Sequence, residues 1–274
     1  MRRTVRTSDG VDLEVVEFGG DGPPVLLLHG LMGRARTWWS TAGWLTGYGR
    51  VIAPDARGHG RSGAAPPWTS ERMAADAAEV LDPLGPGIVI GHSMGGLHGL
   101  VLAARRPDLV RALVVEDMAV DLRGRSAADA RAWFTALPQP FASLAQVREV
   151  FGHPRAEFGE YMTECVTERA DGYHLLAAVE HSTTIAAEWA QVDHWATLDA
   201  VRCPVLLVEA AQSVAPDGQL ARVADRLADA THVRLPGTGH LVHAADPVGY
   251  RAAVTAFLGR VSRPPRRSPG PAPG

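Results

Sequence analysis

Apolar and polar positions follow two periods along the chain. Val11–Phe18 alternates residue by residue, as a strand with one solvated face does. Val25–Leu28 is wholly apolar and runs into His29-Gly30. Arg50–Ala53, Gly87–Ile90, Ala112–Val115, Val205–Val208 and His232–Leu235 are further short β-rich runs. Between these runs, Glu71–Leu81 and Leu97–Arg105 have helical composition. Apolar strands separated by helices predict an α/β architecture, a mostly parallel sheet with helices on both faces.

From about Ala119 to Ala196 the alternation stops. No convincing strand is visible there, whereas Ala127–Leu137, Leu144–Phe151, Ala156–Thr167 and Leu175–Trp195 carry helical patterns. The block reads as a helical cap inserted between two core strands. The chain then divides into a core part over 1–118, the cap over 119–196 and a second core part over 197–262. The tail Arg263–Gly274 is mainly Pro, Gly and Arg, has nothing to bury, and is expected to be disordered.

The 274 residues, 46% of them hydrophobic and 21% charged, fit a soluble globular protein and exclude a disordered or collagen-like chain. All 27 basic residues are arginine, and lysine and asparagine are both absent, a codon-usage signature of a GC-rich genome. Without lysine there is no P-loop, and no basic stripe with interleaved aromatics suggests a nucleic-acid partner. Two cysteines, Cys165 and Cys203, are too few for a disulfide framework and favour a reducing compartment. Cys203, just before Pro204, reads as a buried strand thiol. The apolar runs are too short to cross a bilayer, and Met1-Arg2-Arg3 is followed by polar residues rather than by the apolar segment of a secretory signal. A cytoplasmic protein without a membrane partner is expected, and its oligomeric state is left open. The histidines form no cluster with metal-ligand spacing, and no dinucleotide-binding glycine pattern opens a βαβ unit, so neither metal nor cofactor is expected.

The motif that points to chemistry is Gly91-His92-Ser93-Met94-Gly95, an instance of G-x-S-x-G. It follows the apolar run Gly87–Ile90 and opens a helical pattern, the strand–turn–helix setting in which a serine is presented on a tight turn as a nucleophile. Flanking glycines suit that turn because side chains beside it would collide.

With three further motifs, the chain resembles the α/β-hydrolase superfamily over about Val11–Gly259. These are Leu28-His29-Gly30-Leu31-Met32-Gly33 after the first apolar strand, the turn Asp55-Ala56-Arg57-Gly58-His59-Gly60-Arg61-Ser62, and Gly237-Thr238-Gly239-His240 after the last strand. The resemblance implies that Ser93 is the nucleophile and His240 the base. It further implies that the backbone N–H groups of Leu31 and Met94 form the oxyanion hole. His29 is expected to fix the oxyanion loop, Asp55 and Arg57 to hold their turn together, and His92 and His98 to be core or pocket wall. His243 is expected to be a supporting or surface residue.

The acid is where the chain departs from the pattern. In the family an aspartate follows the strand that here reads Val205–Val208, and aligning on Pro216 puts Gln212 at that place. Glutamine can orient an imidazole but cannot stabilise its charged form. Asp117, after the strand Ala112–Val115, is the alternative acid, and the order Ser93, Asp117, His240 respects the nucleophile–acid–base sequence of the family. Glu209 and Asp217 are further candidates, and a Ser–His dyad oriented by Gln212 is another.

A serine nucleophile excludes the branches of the family that use aspartate. The expected activity is cleavage of a small carboxylic ester, lactone or thioester through an acyl-enzyme on Ser93. The alternatives are a secondary-metabolism tailoring enzyme for a larger acyl substrate, and a non-catalytic small-molecule-binding homologue. Trp38, Trp39, Trp68, Trp133, Phe134, Phe141, Trp189 and Trp195 are candidates to line an acyl pocket, with core packing as the competing role.

Overall fold

A computed structural model describes residues 1–124 and 127–261. The elements are β1 (Arg2–Arg6), β2 (Asp12–Gly19), β3 (Pro24–Leu28), α1 (Trp39–Leu45), β4 (Arg50–Pro54), α2 (Ser70–Leu81), β5 (Gly87–His92), α3 (Met94–Arg105) and β6 (Val110–Glu116). Then follow α4 (Ala127–Thr135), α5 (Leu144–Phe151), α6 (Ala156–Thr163), β7 (Val166–Arg169), β8 (Gly172–Leu175) and α7 (Val179–Trp189). The chain closes with β9 (Val205–Ala210), α8 (Gln219–Arg226), β10 (Ala230–Leu235), α9 (Val242–Ala245) and α10 (Pro247–Val261). The expected tail Arg263–Gly274 lies outside the described residues.

Eight strands form one sheet in the order β1-β2-β4-β3-β5-β6-β9-β10. β2 runs antiparallel to β1 and β4, and every pairing from β4 to β10 is parallel. The wholly apolar runs are explained by two covered faces. In β3, Leu26 and Leu28 join the cluster packed under α2 and α3, whereas Val25 and Leu27 join the cluster under α1 and α10. Val89 and Ile90 of β5 divide the same way, as do Leu113 and Val114 of β6 and Leu207 and Val208 of β9. Successive side chains point to opposite faces, so a strand with two buried faces has no polar phase.

Two strand assignments differ from the sequence reading. β1 was not anticipated: Arg2-Arg3-Thr4-Val5-Arg6 is an edge strand with one partly buried face, Arg3 and Val5, and a single aliphatic residue is too little apolar character to mark a strand. The region between β6 and β9 is also not all helical. β7 and β8 pair antiparallel as a hairpin around Ala170-Asp171, with Phe141 bridging to Tyr173. Its strands have four residues each, too short to show an alternation against helical neighbours. Three helices of the region are shorter than expected: α4 and α6 stop at Thr135 and Thr163 rather than at Leu137 and Thr167, and α7 spans Val179–Trp189 rather than Leu175–Trp195, while α5 has its expected ends. The region has its own cluster, in which Phe134, Phe141, Val147, Phe151, Tyr161 and Met162 pack with Met32 and Leu241. Met32 and Leu241 belong to the two loops that flank the site described next.

Candidate active site

Ser93 stands between β5 and α3 with φ 51° and ψ −122°, a conformation that costs strain in any residue with a Cβ. The flanking glycines permit the turn. A Cβ on Gly91 would collide with the Gly95 carbonyl, and one on Gly95 with the Leu28 carbonyl of the neighbouring strand. Met94 is the first residue of α3, so its N–H belongs to the amides that a helix leaves without an intrahelical acceptor. Leu31 follows the turn held by His29. The His29 ring accepts from Ala56 N at Nε2 (2.9 Å) and donates from Nδ1 to the Gly30 carbonyl (2.8 Å), which fixes the loop and the tautomer together. Asp55 adds to this: its carboxylate accepts from the amides of Ala35 and Arg61 at 2.7 and 2.8 Å. Arg57 is fully buried and reaches further than its own turn, to Asp76 on α2 and to Asp9.

Across the sheet, Asp117 follows β6 and is fully buried, with φ 47°. His240 Nδ1 donates to its Oδ2 over 2.7 Å. The carboxylate also accepts from Ala210 N at 3.0 Å and Val214 N at 3.2 Å. Burial alone would raise the Asp117 pKa; the bonds from His240, Ser213 and Ala210 outweigh it and hold the carboxyl below the usual range. The other candidate carboxylates point elsewhere. Glu209 accepts from His232 at 2.6 Å, and Asp217 is exposed. Gln212 is exposed too, and its Oε1 accepts from Arg155 Nε at 3.3 Å.

A second carboxylate–imidazole pair lies beside the first. Glu116 is wholly buried and accepts from His243 at both the backbone N (3.0 Å) and Nδ1 (2.8 Å), while the His243 ring stacks on Trp38. Burial would raise the Glu116 pKa, but His243 holds it below the ordinary range. His92 Nε2 donates to the His240 carbonyl over 3.1 Å, and burial pushes the His92 imidazole down to about 3. The backbone on which His240 sits is therefore fastened from the turn that carries Ser93.

Ser93, His240, His92 and Leu31 open into one cavity of about 770 Å³. Its walls are mainly apolar: Met32 and Met118 from the core loops, Leu122 from the stretch between β6 and α4, and Trp133, Phe134, Phe158 and Trp189 from the helices between β6 and β9. Of the aromatic candidates, Trp133, Phe134 and Trp189 line this space. Trp38 and Phe141 are buried in packing clusters, Trp68 stacks on His181, Trp195 packs against the main core, and Trp39 is exposed.

A family model of the alpha/beta hydrolase fold matches residues 23–247. The chain belongs to the α/β-hydrolase family. It is 33% identical over 253 residues to RutD of Variovorax paradoxus, provisionally named a carbamate hydrolase, covering 89% of this chain and 94% of that one. Lipase LipV of Mycobacterium tuberculosis is 44% identical over 117 residues, which span 42% of this chain and 44% of LipV. The crystal structure of an E-2-(acetamidomethylene)succinate hydrolase superposes with a TM-score of 0.85 at 26% identity, covering 94% of this chain and 99% of that one. The protein is a hydrolase of this family.

In this α/β-hydrolase the sequence reading missed three residues around the site. Phe158 and Tyr161 stand three apart on α6 and so share one helix face, a spacing that could have marked them. Glu116 offered no signal, because an acidic residue at a strand end reads as solvated until the strand is known to be central. Cys203 is only partly buried, just ahead of β9, and both cysteines are free. Among the described residues no group of His, Cys, Asp or Glu could hold a metal ion, and no helix is long and apolar enough to cross a membrane.

Proposed function

We propose that this hydrolase cleaves a small carboxylic ester, lactone or thioester through an acyl-enzyme on Ser93, acting in the cytoplasm with the segment 119–196 as its cap. Ser93 Oγ attacks the carbonyl carbon while His240 Nε2 takes its proton. The developing oxyanion is met by the amides of Leu31 and Met94, donors whose individual loss typically costs about 10²–10³ in turnover. Collapse breaks the bond to the leaving group, which takes the proton from His240. Water then attacks the acyl-enzyme by the same route in reverse. Asp117 keeps His240 in the tautomer with a free Nε2 and stabilises the imidazolium.

The observation that carries this reading is the 2.7 Å bond from His240 Nδ1 to Asp117 Oδ2, formed while Gln212 is engaged with Arg155. A carboxylate on the imidazole favours a working triad over a dyad or a retired site. Two free thiols agree with a reducing compartment.

Fluorophosphonate labelling followed by mass spectrometry tests it without knowledge of the substrate. Rapid modification confined to Ser93, abolished in Ser93→Ala and strongly slowed in Asp117→Asn, is expected. A folded protein that takes no label would overturn the reading and leave a binding protein.

A further inference from the structure

The loop that carries Leu31 is held from two sides. On the sheet side, His29 bonds the Gly30 carbonyl and the amide of Ala56, and Asp55 accepts from the amide of Ala35. Between these anchors the chain turns tightly. Gly33 N donates to the Gly30 carbonyl at 2.9 Å, and Met32 takes a φ of 66°. A left-handed conformation in a residue with a Cβ persists only where its surroundings hold it.

The second hold comes from α6. The Tyr161 hydroxyl occupies the place that a Cβ on Gly33 would need, and its hydrogen-bond partners are the Thr37 side chain and the Gly30 backbone. Glycine at 33 therefore makes room for the phenol. Tyr161 is buried, and the Phe158 ring stacks on it with centroids 6.2 Å apart, which limits any swing of the side chain. Met32 belongs to the apolar cluster that contains Tyr161 and Met162. Arg34 Nη2 donates to Oε2 of Glu164, the residue after α6, at 2.8 Å. Three consecutive loop residues, Met32, Gly33 and Arg34, are thus engaged by one turn of chain at the end of α6.

We infer that Tyr161 is a positioning residue for the reaction: through Gly30 and Gly33 it holds the Leu31 amide where the oxyanion of the transition state develops. This rests on the serine-hydrolase reading and adds α6 to it. Leu31 lies between the two glycines that the hydroxyl touches, so its N–H cannot move while they are held. Met94, the other donor, is fixed by the first turn of α3, which makes Leu31 the donor whose aim depends on a distant element. Donors of this kind act on charge that appears only in the transition state, so losing their aim slows the chemical step and leaves ground-state binding as it was. Without the hydroxyl, the loop keeps its sheet-side anchors but has a gap over Gly33, and the turn at Met32 can relax into it.

Fluorophosphonate labelling of Ser93 at a series of probe concentrations separates the two effects. Its limiting rate reports the transition state, and its half-saturating concentration reports binding. An octyl trifluoromethyl ketone, competing with the label, reports the oxyanion directly: Ser93 Oγ bonds to the ketone carbon, its proton passes to His240, and the carbonyl electron pair becomes the oxyanion. In Tyr161→Phe the limiting rate should fall at least tenfold, the half-saturating concentration should stay within twofold of wild type, and the ketone should bind at least tenfold more weakly. Gly33→Ala, whose methyl group would displace the hydroxyl, should do the same and decides the matter if Tyr161→Phe does not fold. The two changes combined should cost no more than Gly33→Ala alone, because both act at one contact. An unchanged limiting rate and ketone affinity, a loss confined to the half-saturating concentration, or additive losses in the double variant would overturn the positioning role, and a labelled wild type would leave the serine-hydrolase reading standing. A folded wild type that takes no label would overturn that reading and the positioning role with it.

Discussion

Asp117 sits at a φ of 47°, and the company its carboxylate keeps explains how it stays there. Aspartate tolerates the left-handed region better than most residues because its short side chain can bond locally. Here it accepts from the amides of Ala210 and Val214 on the neighbouring β9 side, as well as from His240. Replacing it by asparagine keeps the shape but removes the charge and admits the wrong histidine tautomer. Steady-state kinetics on Asp117→Asn should show turnover lower by about 10⁴-fold, by the precedent of serine-protease triads. Adding Gln212→Glu to that variant should recover nothing, because position 212 is engaged with Arg155 rather than with the imidazole. Recovery would move the acid back to 212.

The unit β5–Ser93–α3 depends on close backbone approach. Gly95 lies against the Leu28 carbonyl of β3, so a methyl group there must push α3 away from the sheet. Gly95→Ala should lower stability by about 1–3 kcal/mol, the usual cost of overpacking, measured as a lower urea midpoint at unchanged slope. An unchanged midpoint would mean that the turn is more yielding than this contact implies. The same unit shows where sequence patterns hide an element. α3 begins at Met94, three residues before its apolar pattern becomes visible, because Gly95 and Gly96 carry no side chains to pattern. β1 hides for the opposite reason: three of its five residues are arginine, and only Val5 packs on the core. In β7 and β8 a tight hairpin is masked by the helices on either side.

Across the whole molecule, four histidines are held neutral by burial: His29 is pushed down to about 4, and His59, His92 and His98 to about 3. In the unfolded chain each titrates near 6.5. Between those limits the unfolded state binds more protons than the folded one, so stability is full above about pH 6.5 and is lost as pH falls towards about 3. The slope approaches about 1.4 kcal/mol per pH unit for each histidine. Urea midpoints should therefore decline from pH 7 to pH 5, and more steeply below pH 6. A flat profile would show that these rings accept protons in the folded state at little cost.

The strand runs and the glycine-flanked serine were fixed by local pattern. A buried parallel strand must be apolar throughout, and a strained turn must shed its neighbouring side chains, so both leave a mark in the sequence. The fold class and the turn that carries Ser93 could be read from that alone, and His240 was singled out only through the resemblance to the family. The pairing of Asp117 with His240 could not, since the two residues are 123 positions apart and a carboxylate after a strand looks the same whether or not an imidazole meets it. Gln212 was visible as a substitution, but its bond to Arg155, just ahead of α6, was not. Which carboxylate faces the histidine depends on how the loops after β6, β9 and β10 meet at the end of the sheet, and which aromatic side chains line the cavity rather than the core depends on how the helices between β6 and β9 settle on it. That is long-range packing, and only the tertiary structure decides it.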